Sequence, residues 1–184
     1  MIGTYNFQRF SGWRLPVLLA AFLIYTIWFT TIGPFGQLTR LEHYTYLQGR
    51  VFYSGKEAVT AVQSLDAEGR RLKFITLACD VIYMVLQTWV FEALIAFGLS
   101  ARGLMNTSWR WCLMAPMGFL VFDFLEDSFL ALVMMTSSEL IGSFAGVFTL
   151  LKFGFFIPLV VLSLGLGIMG IVTVILRKRK NPEA

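Results

Sequence analysis

At 184 residues, 57% of them hydrophobic and only 14% charged, with a mean hydropathy of +0.71, the chain is far more apolar than a soluble domain of its size. That argues against a separate soluble catalytic domain and predicts one integral membrane domain over residues 1–184. The formal net charge of +4 and the pI near 9.3 do not point to nucleic acid, because the basic residues flank apolar segments and form no stripe along a soluble helix.

Arg9 and Arg14 precede an apolar run that continues through Tyr25, Trp28 and Phe29 to Gly33-Pro34-Phe35-Gly36. No small-x-small cleavage site follows a short core, so the run reads as a retained first span, about residues 15–33. A long polar loop, about residues 34–73, comes next. Within it Ser54-Gly55-Lys56-Glu57 has the form of a capping box, Ala58, Val59, Val62 and Leu65 recur at helical spacing, and Gly69 is the expected C-cap. This predicts a short amphipathic helix on the membrane surface, either covering the bundle or acting as a lid over a ligand entrance.

The second span, about residues 74–99, has one partly polar face with Thr76, Asp80, Tyr83, Gln87, Phe91 and Gly98. Glu92 points roughly a third of a turn away, toward an interface, another helix or a second copy. The third span, about residues 109–135, carries Asp123, Glu126 and Asp127 at i, i+3 and i+4 on one face, which cannot look at lipid. After a link at residues 136–146 the fourth span, about residues 147–176, aligns Lys152, Ser163, Gly167 and Gly170 on one face, with Pro158 expected to kink it. The expected fold is therefore an all-α membrane protein, a four-transmembrane-helix bundle whose long first loop contains a short amphipathic helix.

Arg9, Arg14, Arg102, Arg110 and the closing Arg177-Lys178-Arg179-Lys180 favour both termini in the cytoplasm, although the first loop carries six Lys/Arg of its own. A bacterial inner membrane is the expected compartment. With that topology Asp80 and Lys152 each lie about 9 Å below the outer ends of their spans, and Glu126 and Asp127 about 12 to 14 Å, so all the charged groups can converge. Four carboxylates facing one ammonium must then share a proton, pair with Arg70 or Arg71 folding in from the loop, or bind a cation such as Na⁺, Mg²⁺ or Ca²⁺. Polar glue between helices is the plain alternative.

Cys79 and Cys112 fall near opposite ends of their spans, which excludes a disulfide. His43 is the only histidine and lies in the loop, and no Gly-rich phosphate loop is present, so no cofactor and no dedicated metal site are expected.

Glu68-Gly69-Arg70-Arg71, Asp80 with Tyr83, Asp123-x-x-Glu126-Asp127 and Lys152 together resemble a group of small bacterial four-span membrane proteins of unassigned activity. Those share a loop Gly-Arg, a second-span Asp, a third-span Asp-x-x-Glu-Asn and a fourth-span Lys; here Asp127 stands in place of the Asn and adds a negative charge. A looser topological likeness is to the EXPERA group, whose first-span acid has no counterpart among Tyr25, Thr26, Thr30 and Thr31.

The leading expectation is a binding or accessory protein whose carboxylate–lysine cluster holds a lipid-like or small polar ligand, with Asp80, Tyr83, Gln87, Asp127 and Arg70 as binding residues. An isomerase-like membrane enzyme would use Asp123 or Glu126 as acid and base and Lys152 as electrostatic partner on a lipophilic substrate. A proton- or cation-coupled transporter would use the same carboxylates as a relay. Membrane lipids, a small lipophilic ligand or cation and a second copy of the chain are the expected partners, and nucleic acid is not.

Overall fold

A computed structural model describes residues 14–180. Among them the only regular structure is helical: α1 (Arg14–Thr31), α2 (Pro34–Leu38), α3 (Gly55–Gln63), α4 (Ala67–Ala101), α5 (Ala115–Thr136) and α6 (Glu139–Lys180), with a 3₁₀ segment at Ser108–Met114. Arg9, counted above for orientation, lies outside the described residues.

Three stretches are long and apolar enough to cross a membrane: Arg14–Leu38, Ala67–Ala101 and Glu139–Arg177. Helix α5, at 22 residues, reaches about 33 Å at 1.5 Å per residue, but its three carboxylates set it apart in composition. The long helices outrun the apolar segments that announce them. At 42 residues α6 extends about 63 Å, past the roughly 40–45 Å of a bilayer with its headgroups, and its helical assignment runs unbroken through Pro158.

Three boundaries differ from the sequence reading, each for a local reason. Gly69 does not close the loop helix. Helix α3 ends at Gln63 with Ser64 as C-cap, and Gly69 sits in the first turn of α4, where its N–H donates to the N-cap Asp66 Oδ1 at 2.7 Å. The link between α5 and α6 is only Ser137-Ser138, because Ser137 takes the left-handed conformation (φ 52°) that turns a helix end sharply. Gly142 and Gly146, read as loop residues, are helical. Finally, residues 108–114 wind as a 3₁₀ segment, and the α-helix begins only at Ala115, with Pro116 in its first turn where a missing N–H costs nothing.

Helices α4, α5 and α6 pack on one another, and α1 with α2 leans on α4. Of α1 only Phe29 is buried, and the Tyr25 hydroxyl ties the helix to α4 by donating to the Cys79 carbonyl at 2.8 Å. The small-residue stripe of α6 is used inside the bundle. A Cβ on Gly170 would lie 2.7 Å from the Phe97 ring and 3.1 Å from Gly98 Cα, and Gly98 itself lies against the Leu166 carbonyl. Glu92 is half-buried on α4 and forms no ion pair with another described residue.

Helix α3 and the loop before it sit on the start of α6. Ser54 and Glu57 form the reciprocal cap: Ser54 Oγ accepts from Glu57 N at 3.3 Å, and Glu57 Oε2 accepts from Ser54 N at 2.8 Å. The close approach needs glycine on both sides. A Cβ at Gly55 would overlap the Glu139 carbonyl, and one at Gly146 the Tyr53 carbonyl, leaving backbone no room to give.

Candidate functional site

The long helices bring their charged groups to one level. Asp80 is 13 residues from Ala67, Lys152 is 13 from Glu139, and Asp123 is 13 from Thr136 at the matching end of α5. Each therefore lies about 20 Å from the end of its helix, which for Asp80 and Lys152 is deeper than the roughly 9 Å measured from the shorter predicted spans. The shared register brings the three helices' charged groups into reach of one another.

Lys152 Nζ forms an ion pair with Asp123 Oδ1 at 3.1 Å and a second with Glu126 Oε2. Glu126 is wholly enclosed, at 0% exposure, and its other oxygen accepts from the Tyr53 hydroxyl at 3.2 Å. A second set of groups centres on Gln48, from the loop between α2 and α3. Its side-chain NH₂ donates to Asp127 Oδ1 at 2.5 Å and to Asp80 Oδ2 at 3.4 Å, while its carbonyl accepts from Lys73 Nζ at 2.6 Å. One neutral amide thus joins a buried ammonium to two carboxylates. Asp127 Oδ2 is buried and accepts from no N–H donor among the described residues, and the Asp127 carboxyl lies against that of Asp80.

Lys73 was not among the candidate residues, and the arginines expected in its place do not reach the cluster. Arg70 Nε donates to the Leu65 carbonyl at 3.3 Å, and Arg71 pairs with Glu68 at the surface at 3.5 Å. Helix geometry explains the exchange: Lys73 precedes Asp80 by seven residues, about two turns, and shares its face, whereas Arg71 precedes it by nine, about two and a half turns. That heptad, Lys73-Asp80-Gln87, was the available signal. Gln48 and Tyr53 lie in a stretch without periodicity, and nothing in their spacing announces them.

Three loop tyrosines gather over the cluster. Burial pushes the Tyr53 phenol up from its ordinary value, with Glu126 adding to the effect. Burial likewise raises Tyr44, helped by Tyr46, Asp80 and Asp127, and raises Tyr46 against the opposing pull of Lys152. All three stay neutral and able to donate at physiological pH.

A cavity of about 230 Å³ opens beside the charges. Gln48, Asp80, Gln87, Asp123 and Lys152 supply its polar lining, and Phe29, Phe35, Tyr46, Tyr83, Phe119, Phe153 and Phe156 its aromatic lining. Of the sequence-predicted residues, Asp80, Tyr83, Gln87, Asp123 and Lys152 line it. Glu126 and Asp127 are packed behind that wall and act on it through Lys152 and Gln48. Among the described residues, no three His, Cys, Asp or Glu side chains are arranged to hold a metal ion, and Cys79 and Cys112 are free thiols.

Compared with family models, with curated proteins and with solved structures, the chain matches none.

Proposed function

We propose that the chain is a four-span membrane protein, α5 being the fourth crossing helix, that holds a small amphiphilic ligand in this cavity. The observation that carries the reading is the mixed lining: one 230 Å³ space touches both a Lys–carboxylate pair and two groups of packed aromatic rings. Binding sites commonly combine an apolar body with a few fixed polar groups. Polar glue between helices needs the ion pairs but not the space beside them. The loop from Thr39 through α3 then serves as a cover, resting at the membrane surface with Gln48 and Tyr53 reaching down from it.

Within this proposal the compartment is a bacterial inner membrane with both termini cytoplasmic, in keeping with the resemblance to small bacterial four-span proteins. The loop's opposing count of basic residues carries less weight once Lys73 is buried in the cluster.

The test is to extract the chain gently from its own membranes and compare its retained small molecules with the bulk lipid. Wild type is expected to enrich one compound that a folded Asp123→Asn variant loses. Retention of nothing beyond bulk lipid by wild type would remove the reading.

A membrane enzyme is the second reading, and it rests on one specific feature: Asp123 faces the cavity and Lys152 together. Asp123 is then the acid or base, since Glu126, at 0% exposure and tied by Tyr53 and Lys152, has no route to a substrate.

A further inference from the structure

The charges around the cavity are unevenly satisfied, and the imbalance has a direction. Lys152 is taken up by Asp123 and Glu126, and Lys73 donates to the Gln48 carbonyl. Asp80 has no ion pair with another described residue; it accepts at 3.4 Å from a Gln48 nitrogen that lies 2.5 Å from Asp127, and its other polar neighbour is the Asp127 carboxyl itself. Of the two carboxylates that line the cavity, Asp123 is paired with Lys152 and Asp80 has no such pair. Behind it, Asp127 is 4% exposed and its Oδ2 receives no N–H donor, so the two acids face one another with no cation among the described residues paired to either. With all six groups charged, four carboxylates against two ammoniums leave an excess of two negative charges, so this side of the site lacks positive charge.

The rings beside Asp80 suit the same sign. Phe29 lies 5.5 Å from Phe35 and 5.7 Å from Tyr83, and Phe35 lies 5.2 Å from Tyr46, centroid to centroid. All four line the cavity, and aromatic faces attract cations while repelling anions. A hard metal ion would want several oxygen ligands in place of rings. An anion would find only Lys152, already paired twice. For size, a cavity of about 150 Å³ is enough for benzene, so one of about 230 Å³ takes a ring and a small head.

We infer that the ligand carries an organic ammonium head, seated between Asp80 and the Phe29–Phe35–Tyr46–Tyr83 rings, with an apolar body against the remaining phenylalanines. This rests on the cavity being a binding site at all, and the experiment separates the two claims. Purified full-length chain in a neutral maltoside detergent is titrated calorimetrically with benzyltrimethylammonium and, separately, with phenylmethanesulfonate, which is of similar size and opposite charge. Saturable binding of the cation, with the sulfonate at least tenfold weaker, is expected. Asp80→Asn is expected to weaken the cation at least tenfold; if that variant does not fold, Tyr46→Ala in the loop carries the same test with a severalfold loss. Equal or tighter binding of the sulfonate overturns the ammonium head while leaving the cavity a site. Binding of neither overturns both. Unchanged cation affinity in Asp80→Asn, or in Tyr46→Ala where that variant stands in, places the cation elsewhere and overturns the inference.

Discussion

The Tyr53 hydroxyl and Glu126 Oε1, separated by 73 positions in the chain, meet at 3.2 Å in an enclosed space, with both residues at 0% exposure. Here an irregular loop satisfies a carboxylate in the middle of an apolar helix. A phenol donating to a charged acceptor typically contributes about 1.5–3 kcal/mol. Tyr53→Phe is therefore expected to lower unfolding stability by roughly that amount. Denaturant unfolding in mixed micelles measures it, and a change within error would show that the bond is not felt.

The same phenols make an alkaline prediction. Their folded-state values lie above the ordinary value near 10, so their stabilisation is intact below about pH 10 and is lost as pH climbs through the raised values. Tyrosinate absorbance and loss of helix should rise together for Tyr44 and Tyr53. Complete tyrosinate formation near pH 10 with the fold intact would contradict this.

Lys152 serves two carboxylates, so its removal strands both. Lys152→Met is expected to cost about 3–5 kcal/mol, as breaking a buried pair from one side generally does. Adding Asp123→Asn and Glu126→Gln should recover more than half of that loss. A triple variant no more stable than the single one would mean that Lys152 acts through packing.

Gly146→Ala tests how the loop is seated. The new methyl would meet the Tyr53 carbonyl, which is backbone, and overpacking of this kind typically costs about 1–3 kcal/mol. Gly154→Ala is the control on the same helix, with nothing within 4 Å of its Cβ, and is expected to be neutral or stabilising by up to about 1 kcal/mol. Equal effects on melting temperature would remove the claim that the loop rests on Gly146.

Acid should loosen α3 before the rest. The Ser54 backbone N–H, with the Ser54 hydroxyl, holds the Glu57 carboxyl below its usual range; the stabilisation is present above the unfolded-state value near 4.5 and is lost as pH falls through the lowered folded one. Amide exchange in residues 55–63 is expected to accelerate over that window. Glu57→Gln should flatten the pH dependence, and Ser54→Ala, which keeps the backbone N–H, should only reduce it.

The parts that were legible from sequence share a property: the signal is local and periodic. The apolar runs that announce α1, α4 and α6, and the i, i+3, i+4 spacing of Asp123, Glu126 and Asp127, follow from helix geometry alone. The capping box at Ser54 is equally local, and it opens a helix at Gly55. Gly69 misled because a glycine next to a polar stretch suits the end of one helix as well as the first turn of the next; Asp66, three residues earlier, was the distinguishing mark. Gly142 and Gly146 looked like a link because their purpose, room for Gly55 and the Tyr53 carbonyl, exists only after folding. Gln48 is the extreme case. Its three hydrogen bonds go to residues 25, 32 and 79 positions away, and no window of sequence contains them.

The order in which the cluster's members appear has a consequence for biosynthesis. Gln48, Tyr53, Lys73 and Asp80 leave the ribosome before the three acids of α5, while Lys152 emerges after them, on the last helix. If α5 is the fourth crossing helix proposed above, it must until then enter the bilayer with only Lys73, Gln48 and Tyr53 to receive its charge, so a nascent chain halted before residue 139 should leave that helix poorly inserted. Completion of α6 would then be the event that commits the segment to the membrane.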